Sequence, residues 1–398
     1  MLTILHPHLM KHVRDLHQGL CTIANDKDGT FFLIIKAPKE IVLAAKTKQR
    51  IGFYLAPCRI GDDTYYGLVT TYEDDELNPL MITTPLLDDE MGQSILHILS
   101  ARSFNVHFFD DNNRELLGYK AQNPKHSQFD KSKYKLSPSS LEAAYKVRDL
   151  SYHWFINRSV QDDKEAIRVE FIEPLMTEEL FILDAIPMTN VFQKGSGVSH
   201  TTLERTEPGS YQELDIVRLL QKVFGNDSIF LNPLRTDNDE EFVDILVASD
   251  EYLLLIQAKD SPNTEKSLSR KLERKIATIS KALDKAIDQT RGAVKYLRRN
   301  IELQFHFGED VFEIDPQDKV IRNLIVVQET FDNEWESYSE RVLALGREMD
   351  TPCYVMGYPD LVTWTAKLST PEKFFELYDA IVEDGLEHDI FPRVTFNN

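Results

Sequence analysis

Asp244 precedes the tripeptide Gln257-Ala258-Lys259 by 13 residues, and the segment between them reads as strand, tight turn, strand. The two apolar runs cover 241–248 and 252–258, and Ser249-Asp250-Glu251 supplies the turn. Successive side chains alternate across a strand, so Gln257 and Lys259 project to one face. A hairpin brings Asp244 to the same edge of the sheet. A carboxylate, an amide oxygen and an ammonium are the groups that Mg²⁺-dependent phosphodiester cleavage requires. Aspartate disfavours strand interiors, so Asp244 among Phe242, Val243, Ile245 and Leu246 asks for a reason. The competing reading is structural: an edge-strand polar residue facing water, and a strand-end lysine that blocks edge pairing.

The elements around this hairpin supply context. An amphipathic helix over 211–224 carries Glu213, with Ile216, Leu219, Leu220 and Val223 at helical spacing and Gly225 placed as a C-cap. Residues 266–299 read as a long helix or helix pair, with a heptad-like stripe through Leu272, Ile276, Ile279, Leu283, Ala286, Thr290, Ala293 and Leu297. Between 261 and 300 there are 11 Lys and Arg against 4 Asp and Glu, a balance of +7 in a chain of net charge −20. That helix has two open readings. It tracks phosphates, or it is a solvated face whose stripe packs on its own domain or on a second subunit. Buried strands follow at 324–327 and 353–356, then helices at 360–366 and 371–384.

With these residues in view, positions 205–330 resemble the PD-(D/E)XK nuclease superfamily, and within it the Mrr-like restriction endonuclease branch. That branch places Gln where most members have the first acidic residue of the ExK tripeptide. Glu213 with Ile216, Leu219 and Leu220 matches the opening helix, Glu241-Phe242-Val243-Asp244-Ile245-Leu246 the acidic strand, and Leu253 to Lys259 the catalytic strand. Gln289 and Tyr296 resemble the glutamine and aromatic of the following helix. The motif's proline is absent before Asp244. The resemblance implies an α/β domain with a central mixed sheet flanked by helices, restriction-endonuclease-like, over 205–398. It implies Mg²⁺ as cofactor, with Mn²⁺ able to substitute. Asp244, Gln257, the Ala258 backbone carbonyl and Glu213 would be the metal ligands, and Lys259 would orient the attacking water. Arg270, Lys271, Arg274, Lys275, Lys281, Lys285 and Gln289 would contact nucleic acid, DNA first and RNA as the alternative. The resemblance also implies a homo-oligomer, dimer or higher, in a prokaryotic defence role. Gln257 removes one negative charge from the usual set, which keeps open a non-catalytic, nuclease-like scaffold that only binds nucleic acid.

The first 195 residues carry no recognised pattern. Strand-like runs at 30–36, 51–55, 65–72, 104–109 and 115–119, with a helix over 91–101, predict an α+β domain rich in antiparallel strands. A polar stretch at 122–140 reads as a linker or a surface excursion, with a candidate sub-boundary near 125–140, and 141–192 either completes this domain or bridges to the next. The glycine- and serine-rich 193–199 is the clearest linker. Apolar residues make up 42% and charged residues 28%, ordinary globular proportions. No run is long enough to span a membrane and no secretion signal precedes the first domain. The three scattered cysteines suit a reducing cytoplasm. His8 and His12 have helical metal spacing but no third ligand, and Glu73-Asp74-Asp75-Glu76 lacks the glycine of a calcium loop.

Overall fold

The computed structural model describes residues 1–16, 18–24, 31–74, 79–177, 182–185, 198–299, 302–307, 310–394 and 396. Thr30, Asp75, Glu76, Leu180 and the 193–197 part of the linker lie outside the described residues.

Two short helices, α1 (Leu2–Leu5) and α2 (Met10–Asp15), lead into an eight-stranded sheet. Its strands are β1 (Gly19–Ala24), β2 (Phe31–Lys36), β3 (Arg50–Ile60), β4 (Asp63–Tyr72), β5 (Leu80–Pro85), β6 (Ser103–Phe109), β7 (Glu115–Gln122) and β8 (Ile167–Pro174). They run in the order β1-β2-β6-β7-β8-β3-β4-β5. Only the β2–β6 pair is parallel; the rest are antiparallel, as the short turns of the sequence suggest. The outermost strands, β1 and β5, approach each other, so the sheet is nearly closed into a barrel. Because β8 is inserted between β7 and β3, residues 141–174 belong to this barrel, and 125–140 is a surface excursion rather than a boundary.

Four helices dress the barrel: α3 (Lys39–Lys48), α4 (Glu90–Ser100), α5 (Leu141–Ile156) and α6 (Val160–Glu165). Helix α5 lies close over β4 because Gly67 has no side chain: a Cβ there would stand 2.0 Å from the Ser151 hydroxyl oxygen. A two-stranded ribbon, β9 (Ile182–Ala185) and β10 (Val198–Thr201), leads onward.

The second half is built on α7 (Gly209–Leu220), β11 (Ile229–Leu231), β12 (Leu234–Arg235), β13 (Ile245–Ala248) and β14 (Tyr252–Lys259). Then come α8 (Glu265–Leu268), α9 (Leu272–Arg299), β15 (Leu303–Phe307), β16 (Asp310–Ile314) and β17 (Val320–Val327). The last elements are α10 (Trp335–Met349), β18 (Cys353–Gly357), α11 (Tyr358–Lys367) and α12 (Pro371–His388). The main sheet has the order β11-β13-β14-β17-β18, antiparallel up to β14 and parallel beyond. A smaller sheet, β12-β15-β16, caps one face. The chain is therefore a mixed α/β protein: a near-closed mixed barrel followed by a five-stranded mixed sheet with helices.

Period-2 burial explains the layers. Ile245, Val247, Leu254 and Ile256 pack with α7, α10, α11 and α12 on one side. Leu246, Leu253 and Leu255 pack with Ala293 and Leu297 of α9 and with Phe230, Phe305 and Phe307 on the other. The predicted heptad stripe from Ile279 to Leu297 is buried within this domain, so its own sheet uses it rather than a second subunit; Leu272 stays exposed. Three expectations are corrected. Gly225 is not the C-cap of α7, which ends at Gln221 in right-handed geometry. Helix α10, hidden in a charged stretch, separates β17 from β18. The strand expected from 241 begins at Ile245, leaving Asp244 just outside the ladder.

The two halves share a seam. Leu203 and Leu268 from the C-terminal side are buried in the core of the barrel. Among the described residues no helix is long and apolar enough to cross a membrane.

Candidate functional site

The β13–β14 register pairs Ile245 with Ile256, which sets Asp244 opposite Gln257 one step beyond the ladder. Asp244 is 5% exposed and Gln257 3%. Burial of that carboxylate is offset by three donors. Its Oδ2 accepts the Ala258 backbone N–H at 2.5 Å and the Lys259 ammonium at 2.8 Å. The Gln257 amide supplies the third group, at 3.2 and 3.3 Å from the two Asp244 oxygens. Turned with nitrogen inward, it donates to both. Turned with oxygen inward, it leaves acceptors face to face, an arrangement that a cation between them satisfies.

Lys259 also donates to the Ala258 carbonyl at 2.9 Å. Its ammonium thus bridges Asp244 and the backbone oxygen, the same two acceptors that the resemblance assigns to a metal. The point between them is a seat for one cation, and here Lys259 fills it.

Two more carboxylates border the seat. Glu213, in the first half of α7, feels Asp244, and its carboxyl is raised above the usual range, first by burial and then by that like charge. Asn232 fixes it: its side-chain amide donates to Glu213 at 3.2 Å, and its backbone N–H donates to the Asp244 carbonyl at 2.9 Å. Asn232 does this from left-handed backbone, φ 51°, a conformation asparagine tolerates better than most residues. Glu241 also acts on Asp244. Although Glu241 is exposed at the surface, partial desolvation and then the neighbouring Asp244 carboxylate push its carboxyl up to about 8.

Glu213, Asp244, Gln257, Ala258 and Lys259 therefore meet at the edge of the sheet. Sequence reasoning missed Glu241 and Asn232 as members of this group. Glu241 was read only as the first residue of a strand, and the Asn232-Pro233 turn signal carried no chemistry by itself. Tyr296 reaches the vicinity, its ring 5.6 Å from that of Phe242.

The oxygens on offer are hard donors: one carboxylate, one amide, one backbone carbonyl, and Glu213 and Glu241 alongside. They fit Mg²⁺ or Mn²⁺, which keep several waters and need few protein ligands. Among the described residues no three His, Cys, Asp or Glu side chains are grouped as a metal cage, His8 and His12 included.

The proposed nucleic-acid residues separate into two groups. Lys271, Arg274, Lys281, Lys285 and Gln289 are exposed. Lys275 is instead tied to Asp74 of the barrel at 2.8 Å, and Arg270 lines a cavity at the seam. Neither of these two presents itself to a duplex in this arrangement, because the N-terminal half covers that end of the basic segment. No family model, no curated protein and no solved structure matches this chain.

Proposed function

We propose that the protein is a divalent-metal-dependent nuclease of the PD-(D/E)XK type, hydrolysing phosphodiester bonds, with DNA as substrate ahead of RNA. One observation supports this most: Asp244, Gln257, the Ala258 carbonyl and Lys259 converge on a single cation seat at the mouth of a hairpin. A bound Mg²⁺ would polarise the phosphate and lower the pKa of a water. Asp244, Gln257 and the Ala258 carbonyl would hold it, with Glu213 and Glu241 completing its surroundings. Lys259, displaced from the seat, would orient the attacking water and offset charge on the pentacovalent transition state. Exposed Lys271, Arg274, Lys281 and Lys285 would follow the backbone of the substrate by counterion release. A homodimer would present two such seats to two strands.

A second reading has its own observation. With the Gln257 nitrogen turned inward, Asp244 is satisfied by three donors and needs no metal. The fold would then serve as a nucleic-acid-binding scaffold. Incubation with plasmid, linear DNA and RNA, in Mg²⁺ or EDTA, separates the two. The nuclease reading expects Mg²⁺-dependent cleavage that Asp244→Asn and Lys259→Ala abolish. Retention of substrate without cleavage, unaltered by Mg²⁺, supports the scaffold.

A further inference from the structure

Strands β14, β17 and β18 are parallel and end at the same edge of the sheet. Past that edge the chain continues as Asp260, as Gln328-Glu329 and as Tyr358-Pro359. All five residues border a cavity of about 110 Å³ facing the N-terminal barrel. In open α/β sheets the space outside the carboxyl ends of parallel strands is the usual ligand position. A second cavity of about 120 Å³ adjoins the first, and the two share Glu40, Leu80, Gln328 and Glu329 as walls.

The charge on these walls is unbalanced. Six carboxylates line the first cavity: Glu40, Asp110, Asp111, Asp215, Asp260 and Glu329. Its cations are Lys39, Arg114 and Arg205, and each is committed to an acid. Arg114 bonds Asp110 at 2.6 Å and Asp215 at 2.8 Å. Arg205 bonds Asp215 at 3.2 Å, and Lys39 bonds Asp260.

Three acids are left over. Among the described residues Asp111 accepts a hydrogen bond from the Gln18 amide alone, at 2.8 Å, with Lys36 and Lys222 near enough to act on it but not bonded to it. Glu40 receives the Gln328 amide at 2.6 Å, with Lys39 at 3.9 Å. Glu329 has no hydrogen-bond or ion-pair partner among the described residues. The neutral groups point the same way. Gln212, 3% exposed, lines the first cavity and its side-chain oxygen has no partner. Asn263, 1% exposed, lines the second and its side-chain oxygen has none either. Every unmet group named here is an acceptor.

We propose that this seam is a binding site for a small extended organic cation, a diamine or polyamine, laid across both cavities. Its nitrogens would donate to Asp111, Glu40 and Glu329, with Gln212 and Asn263 as neutral acceptors. Its methylenes would run past Leu80, Ile41, Leu268 and Phe331. An anion does not suit the first cavity, because its three cations are already paired; the second cavity adds Lys275, paired with Asp74, and Arg270. Burial pushes both Asp111 and Glu329 up to about 7, against the smaller opposing pull of Lys36 on the first and Lys275 on the second. The proposal does not depend on the nuclease reading.

The test is calorimetric titration of the full chain with spermidine in EDTA buffer, which removes divalent ions from the catalytic seat. Expected is one-site saturation, weakened at least about tenfold by Glu329→Gln, by Asp111→Asn and by the half-buried Glu40→Gln, and unchanged by Asp244→Asn. Three variants at separate positions, each checked by circular dichroism, guard against one that fails to fold. Absence of saturation overturns the proposal, as does equal affinity in all variants. Loss confined to Asp244→Asn would place the amine in the catalytic seat and overturn it as well. Saturation by Mg²⁺, titrated separately in EDTA-free buffer, that Glu329→Gln abolishes would make the seam a metal site and overturn the amine assignment.

Discussion

Lys39, the first residue of α3 in the barrel, forms an ion pair with Asp260, the residue directly after Lys259. The Asp260 side chain is fully buried. A matching contact lies across the seam: Arg114, from the turn before β7, holds Asp215, two residues after Glu213 on α7. The N-terminal half therefore grips two of the three elements that carry catalytic candidates, α7 and β14, each beside the candidate itself. Arg114→Ala would strand Asp110 and Asp215 in a buried setting with less compensation. A loss of about 3–5 kcal/mol is expected on breaking such a buried pair from one side. Thermal or urea denaturation checks it, and a change below about 1 kcal/mol would show that the seam carries little stability.

Lys259 competes with any metal for the acceptors Asp244 and Ala258. Lys259→Met keeps the aliphatic stem and removes the charge. Cleavage is expected to fall by about 10²–10³-fold, the scale of losing one transition-state donor. Mn²⁺ affinity is expected to rise at the same time. Calorimetry with Mn²⁺ reads the second effect, and weaker metal binding in this variant would remove Lys259 from the seat.

Glu241 sets a pH dependence. Its carboxyl keeps a proton up to about 8 while a bound cation requires it ionised. Cation binding below that pH displaces the proton. Affinity should therefore rise with pH, by up to about tenfold per unit, and level off above about pH 8. Glu241→Gln should flatten the profile. Titrations with Mn²⁺ from about pH 6 to about pH 9 decide, and a parent profile as flat as the variant's would exclude Glu241 from the metal's surroundings.

The seam carries a pH dependence of opposite consequence. Asp111 and Glu329 hold their protons up to about 7 in the folded protein, against 3.8 and 4.5 as ordinary side chains. Below the ordinary values both states are protonated and nothing is lost. As pH rises toward 7 the unfolded chain releases protons that the folded chain keeps, so stability falls over that window and is level above it. Glu329→Gln removes its share of this loss. The variant should melt above the parent at about pH 8, by roughly 1–3 kcal/mol, and with it at about pH 4. Equal melting at both values would mean that Glu329 is not short of a cation.

Much of the candidate-site hairpin was legible because strand periodicity and a three-residue turn fix which side chains share a face. From that alone Asp244, Gln257 and Lys259 could be placed together. Asp244 was read as a strand residue because Val243 and Ile245 flank it; the backbone leaves the ladder there so that the carboxylate can meet Ala258 and Lys259. Helix α10 was missed because Glu336, Glu340 and Arg341 break up its apolar face, which shows only where Tyr338, Val342 and Leu345 meet the sheet. The barrel's closure was not legible. It depends on β8 returning across more than forty residues to lie between β7 and β3, and no local pattern encodes such pairing. Glu241 and Asn232 joined the site only through contacts made in three dimensions.

Leu268 lies with α3 in the core of the barrel, although the chain reaches it only nine residues after Lys259. Leu203 is lodged there too. A truncation starting near residue 205 would take α8 away from its socket, leave Asp260 without Lys39, and leave Asp215 with Arg205 but without Arg114. The C-terminal half is accordingly no portable cassette. Transplanted to another carrier, it would lose the lock on its own hairpin, so recombination that exchanges this half would have to bring the barrel with it.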